Sequence, residues 1–337
     1  MNPEPPLMNG MVEIEPIDDL KPDRRDLLRG AGTLAAFLTA ANTASAQQQE
    51  PPAGTVPPAQ PGPLLPTAKF GRFSITRLIA GANPIYGYSH FNYVFSAAMA
   101  EYHTTARVLS FLRELERAGI NTWQASWSER LETDWLQYKE QGGKLNLLIL
   151  SRPTFNDEPE MLKRAAKLKP LGIAQHGAST NRFWDMGQLD RSLDFLKRIR
   201  DLGVMVGFSC HNPLEVEYAE EKGWDVDYYM TSLYYVNRPR KEFERILGGE
   251  APYGEIYLPS DRPKMLETIR KAKKPCLTYK VLAAGRTVNS PKLVREHLET
   301  AYRGIKPNDA LIIGIYQRYN DQIGQTATFT REILASA

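Results

Sequence analysis

The strongest constraint on the fold is an alternation of eight short apolar segments with longer stretches of helical periodicity, beginning near Lys69. Strands that alternate with amphipathic helices are typical of βαβ units and of a parallel sheet. Eight such strands can close on themselves, so the sequence predicts an α/β protein with a single (β/α)8 TIM barrel. An open doubly wound sheet is the alternative, although no G-x-G-x-x-G turn follows the first segment. The eight segments read TRLIAG, INTWQA, LNLLILS, GIAQH, VMVGFS, VDYYMT, CLTYKV and ALIIGI.

The first 46 residues have the parts of a cleavable bacterial export signal. The pair Arg24-Arg25 precedes a mildly apolar run over residues 30–41, and residues 44–46 read ASA, a small-residue cleavage site. The run is too short to span the roughly 30 Å hydrocarbon core of a bilayer. Residues 24–29 resemble twin-arginine signals, which implies that the twin-arginine export machinery carries the folded protein to the periplasm or the medium, with no membrane span after cleavage. An accidental or mitochondrial-type basic helix is the alternative.

Residues 47–68 follow this predicted signal and are rich in proline and free of aromatic side chains. Such a segment cannot bury enough apolar surface to offset the entropy of ordering it, so the sequence predicts a disordered linker. The predicted organisation is therefore a signal peptide over residues 1–46, a linker over residues 47–68 and a barrel over residues 69–337.

Charge and composition favour a small-molecule partner. The formal net charge is only +3, which gives no basis for binding nucleic acid or an anionic membrane. The hydrophobic fraction of 42% and the charged fraction of 24% are ordinary for a globular protein. The two cysteines, Cys210 and Cys276, cannot build a disulfide framework and are expected to be buried thiols.

Lys280 stands near the end of the seventh segment, CLTYKV, where a charged side chain is unexpected. Lysine is almost never fully buried without a partner, because removing its charge from water is costly. Alternation along the strand predicts that Leu277 and Tyr279 face the helices while Cys276, Thr278 and Lys280 face the barrel. Since active sites of TIM barrels lie at the carboxyl ends of the strands, Lys280 is expected in the mouth of the barrel.

The other predicted strands also end in polar and aromatic residues, which the same rule brings to one place. We predict four catalytic residues: Lys280 as a base or Schiff-base amine, His176 and His211 as proton carriers, and Arg152 as the group that holds an anion or oxyanion. Residues 237–260 form a long excursion after the sixth strand and are expected to act as a lid or binding loop. Predicted substrate contacts are Asn83, Tyr86, Tyr88, His90, Gln124, Trp127, Ser209, Tyr234, Tyr235 and Tyr316.

Several motifs resemble the aldo/keto reductase superfamily, and the likeness covers most of the chain after Lys69. RAGINTWQAS, over residues 117–126, resembles the second-strand motif of that family, and IIGIYQRYNDQIGQT, over residues 312–326, resembles its cofactor-side segment. The shorter strings LILSRP, GIAQHG and VGFSCHNP resemble its third, fourth and fifth strand ends. The resemblance implies a TIM barrel that reduces carbonyl compounds with a nicotinamide cofactor.

The catalytic tetrad of those reductases is not kept in this sequence. Its aspartate position falls on Gln124, its tyrosine position near Glu129 and its lysine position on Arg152, so only its histidine position is kept, by His176. The resemblance therefore does not carry the ordinary reductase mechanism to this chain.

Four functions remain open on these observations. The first is an exported enzyme that uses non-redox acid–base or Schiff-base chemistry on a small carbonyl compound or sugar derivative, without a cofactor. The second is an NADP-dependent reductase with a rearranged tetrad, whose cofactor would contact Lys280, Arg286 and Gln322. The third is a zinc site, for which the candidate ligands are His90, His176 and His211. The last is a non-catalytic barrel that binds a ligand in the cell envelope.

Overall fold

The computed structural model describes residues 62–152 and 159–336. The predicted signal peptide and residues 47–61 of the predicted linker lie outside the described residues. Within the rest of that linker, the amide of Gly62 donates to the carbonyl of Glu116 and the amide of Leu65 donates to that of Gly119. Residues 62–65 are therefore hydrogen bonded to the barrel. Nowhere in the described ranges is there a helix long and apolar enough to cross a membrane.

Eight parallel strands form a closed barrel, which confirms the predicted TIM-barrel fold. Neighbouring strands follow the chain order, and the eighth strand closes the barrel against the first, with Leu311 opposite Leu78. Each of the eight predicted segments overlaps one of these strands, and three of the strands extend one residue beyond their segment. They are β3 (Leu78–Gly81), β4 (Thr122–Ser126), β5 (Asn146–Leu150), β6 (Gly172–Gln175), β7 (Met205–Cys210), β8 (Tyr228–Ser232), β9 (Cys276–Tyr279) and β10 (Ala310–Gly314).

Helices surround the barrel, and side-chain caps fix where several of them begin. Thr104, Ser128 and Ser290 each accept a hydrogen bond from a backbone amide of the first turn that follows, which satisfies a donor that the helix leaves unpaired. The helices are α1 (Tyr93–Tyr102), α2 (Thr105–Arg117), α3 (Glu129–Glu140), α4 (Pro159–Lys167), α5 (Gly177–Asp185), α6 (Ser192–Asp201), α7 (Pro213–Glu221), α8 (Arg240–Leu247), α9 (Asp261–Lys271), α10 (Pro291–Gly304) and α11 (Gln322–Ala335).

A short antiparallel hairpin, which the sequence analysis did not predict, precedes the barrel. It consists of β1 (Thr67–Phe70) and β2 (Phe73–Thr76), and only Arg77 separates it from the amino end of β3. Phe70 and Ile75 are fully buried with side chains from inside the barrel, and the ring of Phe70 meets that of Tyr228 edge-on at 5.0 Å. The hairpin thus closes the amino-terminal end of the barrel.

In strand β9, the side chains that face the barrel interior and those that face the helices are the reverse of the prediction. Leu277 packs in the buried cluster inside the barrel, whereas Cys276 packs in the larger cluster shared by the sheet and the helices. The predicted inward direction of Cys276 and the outward direction of Tyr279 were therefore wrong, because both faces of a barrel strand are buried and hydrophobicity does not distinguish them. Lys280 still lies in the mouth, since it follows the end of the strand and its φ of 60° interrupts the alternation.

Candidate functional site

A cavity of about 970 Å³ opens at the carboxyl ends of the strands. The strand ends form its floor, and α1 with the segment after β9 forms much of its wall. The barrel rule therefore located the cavity correctly. The sequence-predicted residues that line it are Asn83, Tyr88, His90, Gln124, Arg152, His176, Ser209, His211, Lys280, Arg286, Tyr316 and Gln322.

Two predicted substrate contacts, Tyr86 and Trp127, do not line this cavity. The hydroxyl of Tyr86 donates to Asp134 Oδ2, and its ring packs against Trp123 at 6.2 Å. Trp127 is fully buried in the core, with the guanidinium of Arg164 5.3 Å from its ring. Both side chains pack on the helix side of the sheet, where aromatic residues that follow a strand are equally well buried.

Tyr234 and Tyr235 also lie outside the cavity lining, in contrast to their prediction. Tyr234 is buried and its ring meets that of Tyr257 edge-on at 5.1 Å. Tyr235 packs beneath the guanidinium of Arg238, 4.7 Å from the ring centre. These tyrosines support the excursion after β8 instead of facing a ligand.

Lys280 is the most deeply placed cation of the cavity, with 7% of its side chain exposed. Its ammonium donates to Glu255 Oε2 at 3.1 Å and to the hydroxyl of Tyr257 at 3.3 Å. It also lies 3.2 Å from His90 Nδ1. Glu255 and Tyr257 belong to the predicted binding excursion over residues 237–260, so this segment does reach the mouth of the barrel.

Burial and the carboxylate of Glu255 act on Lys280 in opposite directions. Burial disfavours the charged amine and holds the pKa of Lys280 below its usual value, although the neighbouring Glu255 raises it. For Glu255, burial alone would raise the pKa, but the hydrogen bond from His90 and the charge of Lys280 together lower it well below its usual range. Glu255 is therefore ionised at neutral pH, and Lys280 has a larger neutral fraction than a surface lysine.

His90 links the loop after β3 to this ion pair. Its Nδ1 donates to Glu255 Oε1 at 2.7 Å, and its Nε2 lies 3.0 Å from the amide nitrogen of Asn83, which donates to it. These two contacts fit a neutral imidazole that carries its proton on Nδ1. His90 has a φ of 55°, a conformation that is strained for a residue with a Cβ atom.

A second hydrogen-bonded chain lies on the floor of the cavity. The hydroxyl of Tyr279 is 3.1 Å from His211 Nε2 and 3.1 Å from Ser209 Oγ, and His211 Nδ1 donates to Asn181 Oδ1 at 2.8 Å. Burial, with the nearby charge of Lys280, lowers the pKa of His211 well below its usual value. Burial also raises the pKa of Tyr279. At neutral pH the pair therefore consists of a neutral imidazole and a protonated phenol.

The backbone of α5 approaches this pair closely at Gly177. A Cβ atom at position 177 would lie 2.6 Å from His211 Cε1, which is closer than real Cβ contacts allow. A glycine at the start of α5 is therefore needed for His211 to take its place beside Tyr279.

His176 caps the same helix from inside the cavity. Its Nδ1 accepts the amide of Ala178 at 3.0 Å, so the neutral ring carries its proton on Nε2. Its own backbone amide donates to Ser151 Oγ at 3.0 Å. Burial, with the nearby charge of Lys280, lowers the pKa of His176 to about 4. His176 thus faces the cavity as a neutral imidazole.

Gln124 and Arg152 complete the polar surface of the cavity. Gln124 is only 6% exposed, and in the described part of the chain its amide nitrogen Nε2 has no hydrogen-bond partner. A buried donor without a partner is costly, so a ligand acceptor at this position would relieve the cost. Arg152 is exposed at the rim of the cavity.

Glu255, Tyr257 and Tyr279 are site residues that were not predicted from the sequence. Glu255 and Tyr257 could have been found as the polar residues of the long excursion, but nothing in the sequence shows that they reach Lys280, 23 or more positions away. Tyr279 was assigned to the wrong face of β9, and the outward assignment removed it from the candidates. The long-range contacts of the folded chain supply this information.

The structure does not group the histidines as a metal site. His90 is bonded to Asn83 and Glu255, while one nitrogen of His176 is bonded to the backbone. Residues 62–152 and 159–336 contain no cluster of three or more His, Cys, Asp or Glu side chains that could hold a metal ion.

The predicted nicotinamide contacts, Arg286 and Gln322, are held by protein groups. Arg286 packs over the rings of Tyr257 and Phe91, at 4.4 and 5.3 Å. The side chain of Gln322 accepts the backbone amide of Tyr316 at 2.9 Å. Both line the cavity, and Gln322 is the first residue of α11.

No family model and no curated protein sequence matches this chain. Among solved structures, it is similar to a truncated 3-deoxy-D-arabino-heptulosonate 7-phosphate synthase from Thermotoga maritima, with 12% identity, a TM-score of 0.47, and coverage of 81% of this chain and 92% of that one. A phospho-2-dehydro-3-deoxyheptonate aldolase from the same organism matches at 12% identity and a TM-score of 0.43, over 81% of this chain and 71% of that one. A native KDPGal structure matches at 13% identity and a TM-score of 0.35, over 77% of this chain and 92% of that one. The fold assignment rests on the strand order and not on these matches.

Proposed function

We propose that this barrel is an enzyme that acts on a small carbonyl compound or sugar derivative, with Lys280 as a Schiff-base amine. The observation that carries the proposal is the placement of Lys280, which is 7% exposed in the mouth of the barrel with a lowered pKa. A neutral amine is the nucleophilic form of lysine, and burial is one of the two ways in which proteins produce it near neutral pH.

The proposed step is imine formation. The neutral amine of Lys280 attacks the carbonyl carbon, so that a C–N bond forms while the carbon–oxygen π bond breaks. The Tyr279 hydroxyl, which stays protonated at neutral pH, is the proton donor to the carbonyl oxygen, and His211 is the neutral base beside it. The nitrogen of the adduct then gives up two protons: one returns to Tyr279, and the other leaves with the hydroxyl as one water molecule, so that the imine remains.

Two further groups are proposed to orient the substrate. The unpartnered Nε2 of Gln124 donates to a substrate oxygen on the floor. Arg152 attracts an anionic group to the rim, because an arginine fork matches carboxylate and phosphate geometry. His176, fixed by its hydrogen bond to Ala178, presents Nε2–H to the bound molecule.

Reductive trapping tests the proposal directly. We expect sodium borohydride, added with pyruvate or glycolaldehyde, to attach the carbonyl compound covalently to the peptide that contains Lys280, as measured by mass spectrometry. Lys280→Met should remove the adduct, whereas Lys274→Met, which changes an exposed lysine just before β9, should retain it. An adduct that survives in Lys280→Met, or no adduct with any small aldehyde or ketone, would show that Lys280 is not the amine.

An NADP-dependent reductase is the second candidate. It is favoured by the presence of Arg286 and Gln322 in the lining of the same cavity. Fluorescence titration with NADPH tests it: saturable binding that weakens in Arg286→Ala and Gln322→Ala would favour the reductase. If no binding is seen, this candidate is excluded.

We also propose that the protein is exported through the twin-arginine machinery. The proposal is based on Arg24-Arg25 and the segment that follows in the sequence. Replacing both arginines with lysine should retain the full-length protein in the cytoplasm when cell fractions are compared. Unchanged export of that variant would contradict the proposal.

A further inference from the structure

The polar groups of the lining are gathered on the floor, among apolar strand residues such as Met230 and Ile312, and one wall of the cavity is mainly apolar. Gln124, Ser209, His211, Tyr279 and Lys280 lie on the floor, where the strands end. The wall is made by α1, the two residues before it and the segment after β9. Its apolar residues include Phe91, Val94, Phe95, Ala98, Leu282 and Val288.

Helix α1 is an addition to the repeating strand–helix pattern, since α2 already follows it before β4. Its sequence, YVFSAAMAEY, contains one charged residue, yet Met99 is its only buried side chain. Beside the cavity, Phe91, Val94 and Val288 are 60%, 76% and 43% exposed. Such an apolar surface next to convergent polar groups is typical of a ligand site.

The wall is held in a defined position. Asn92 caps α1 by accepting the amide of Phe95, and the hydroxyls of Ser89 and Ser96 are 2.8 Å apart. The ring of Phe95 meets that of Tyr316 edge-on at 5.8 Å. Gly87 has a φ of 75°, and a Cβ atom there would lie 2.8 Å from the carbonyl oxygen of Ser96, so the loop packs closely on the helix. The apolar surface is therefore preformed.

We propose that the substrate is an amphipathic carbonyl compound, whose carbonyl end reaches Lys280 and whose alkyl or aryl chain of several carbons lies along α1. The inference deepens the function proposed for Lys280 and rests on it for the position of the carbonyl. A free polyhydroxylated sugar does not fit this division, because its hydroxyl groups would meet an apolar wall and lose hydrogen bonds to water. A chain of methylene groups, in contrast, gains free energy from the same contacts.

A homologous series of ligands tests the inference separately from the covalent step. We would measure the binding of 2-butanone through 2-nonanone, and of dihydroxyacetone, to the full chain carrying Lys280→Met by isothermal titration calorimetry. This variant cannot form an imine, so its binding reports only non-covalent contacts. Affinity should rise by up to about fourfold with each methylene that the wall buries. Dihydroxyacetone should bind more weakly than the longer ketones.

Two neighbouring residues of α1 provide a matched pair of variants. Val94 lines the cavity, whereas Tyr93, 85% exposed, is not part of the lining. Both occupy the first turn of the helix, where an added carboxylate is favourable, so neither Val94→Asp nor Tyr93→Asp should disturb folding. In the Lys280→Met background, Val94→Asp should remove most of the dependence on chain length, and Tyr93→Asp should keep it.

Three results would overturn the inference. One is equal affinity for all ketones of the series. Another is that Tyr93→Asp loses the dependence of affinity on chain length as fully as Val94→Asp does. The third is a concentration-dependent dimer that Val94→Asp disperses in light-scattering measurements, because the wall would then be covered by a second copy. If affinity depends on chain length but borohydride traps no adduct, the apolar site is supported and Lys280 is rejected as the amine. If borohydride traps the adduct but affinity does not depend on chain length, Lys280 is supported and the apolar site is rejected.

Discussion

At the level of single side chains, the chemistry of the cavity depends on how each polar group is held. Lys280 is buried, but it contacts Glu255, Tyr257 and His90, so its charge is partly compensated. His211 has both ring nitrogens in hydrogen bonds and a lowered pKa, which fixes it as a neutral group. Positions held in this way keep their geometry when a ligand replaces water.

His176 gives a prediction at this scale, because its capping role and its titration can be separated. Asparagine is a preferred cap and can accept the amide of Ala178 as His176 does. His176→Asn should therefore change the free energy of unfolding at pH 7 by no more than about 1 kcal/mol.

The pH dependence of the same variant should differ from that of the wild type. The pKa of His176 is about 4 in the folded protein and about 6.5 in the unfolded chain, so the unfolded state binds the proton more readily between these values. The wild type should lose up to about 3 kcal/mol through this residue as the pH falls from 6.5 to 4. Urea denaturation at pH 7 and pH 4.5 would measure this loss of stability. If His176→Asn loses as much stability as the wild type, the loss does not come from protonation of His176.

At the level of elements, the contributions to the site come from segments that depart from the eightfold repeat. Helix α1 adds the apolar wall after β3, and the excursion after β8 brings Glu255 and Tyr257 to Lys280. The hairpin β1–β2 closes the other end of the barrel. Regular units thus supply the frame, and the inserted elements give this barrel its particular cavity and closure.

The hairpin provides a prediction at this scale. Phe70 is fully buried against Tyr228, so Phe70→Ala should lower the free energy of unfolding by about 3–5 kcal/mol through the cavity that it leaves. Phe73→Ala removes the same side chain from a half-buried position in the same hairpin and should cost clearly less. Urea denaturation of both variants would measure the difference. An equal loss of unfolding free energy in the two variants would mean that Phe70 does not close the amino-terminal end of the barrel.

At the level of the whole molecule, stability and chemistry are concentrated at opposite ends of the barrel. The hairpin and the apolar interior close the amino-terminal end, while the polar groups lie at the carboxyl ends of the strands. This division is general for TIM barrels and explains why the loops at one end can carry a strained residue such as His90 or Lys280. The closed sheet beneath them holds the strand ends in position.

The sequence by itself determined the eight strands, their parallel order and the end of the barrel at which polar residues gather. The strands follow from periodicity, which can be read from short stretches of sequence, and the end of the barrel follows from a general rule of TIM-barrel topology. It also placed Lys280, His176 and His211 in one cavity, because each follows a strand.

Only the tertiary structure decided which polar side chains meet. The partners of Lys280 come from Glu255 and Tyr257, and the direction of Tyr279 depends on the phase of a strand that is buried on both faces. Aromatic residues such as these are common in ligand sites, but four that were predicted as substrate contacts do not line the cavity: Tyr86, Trp127, Tyr234 and Tyr235. A side chain's neighbours across the barrel depend on the packing of distant segments, and a local pattern carries no information about that packing.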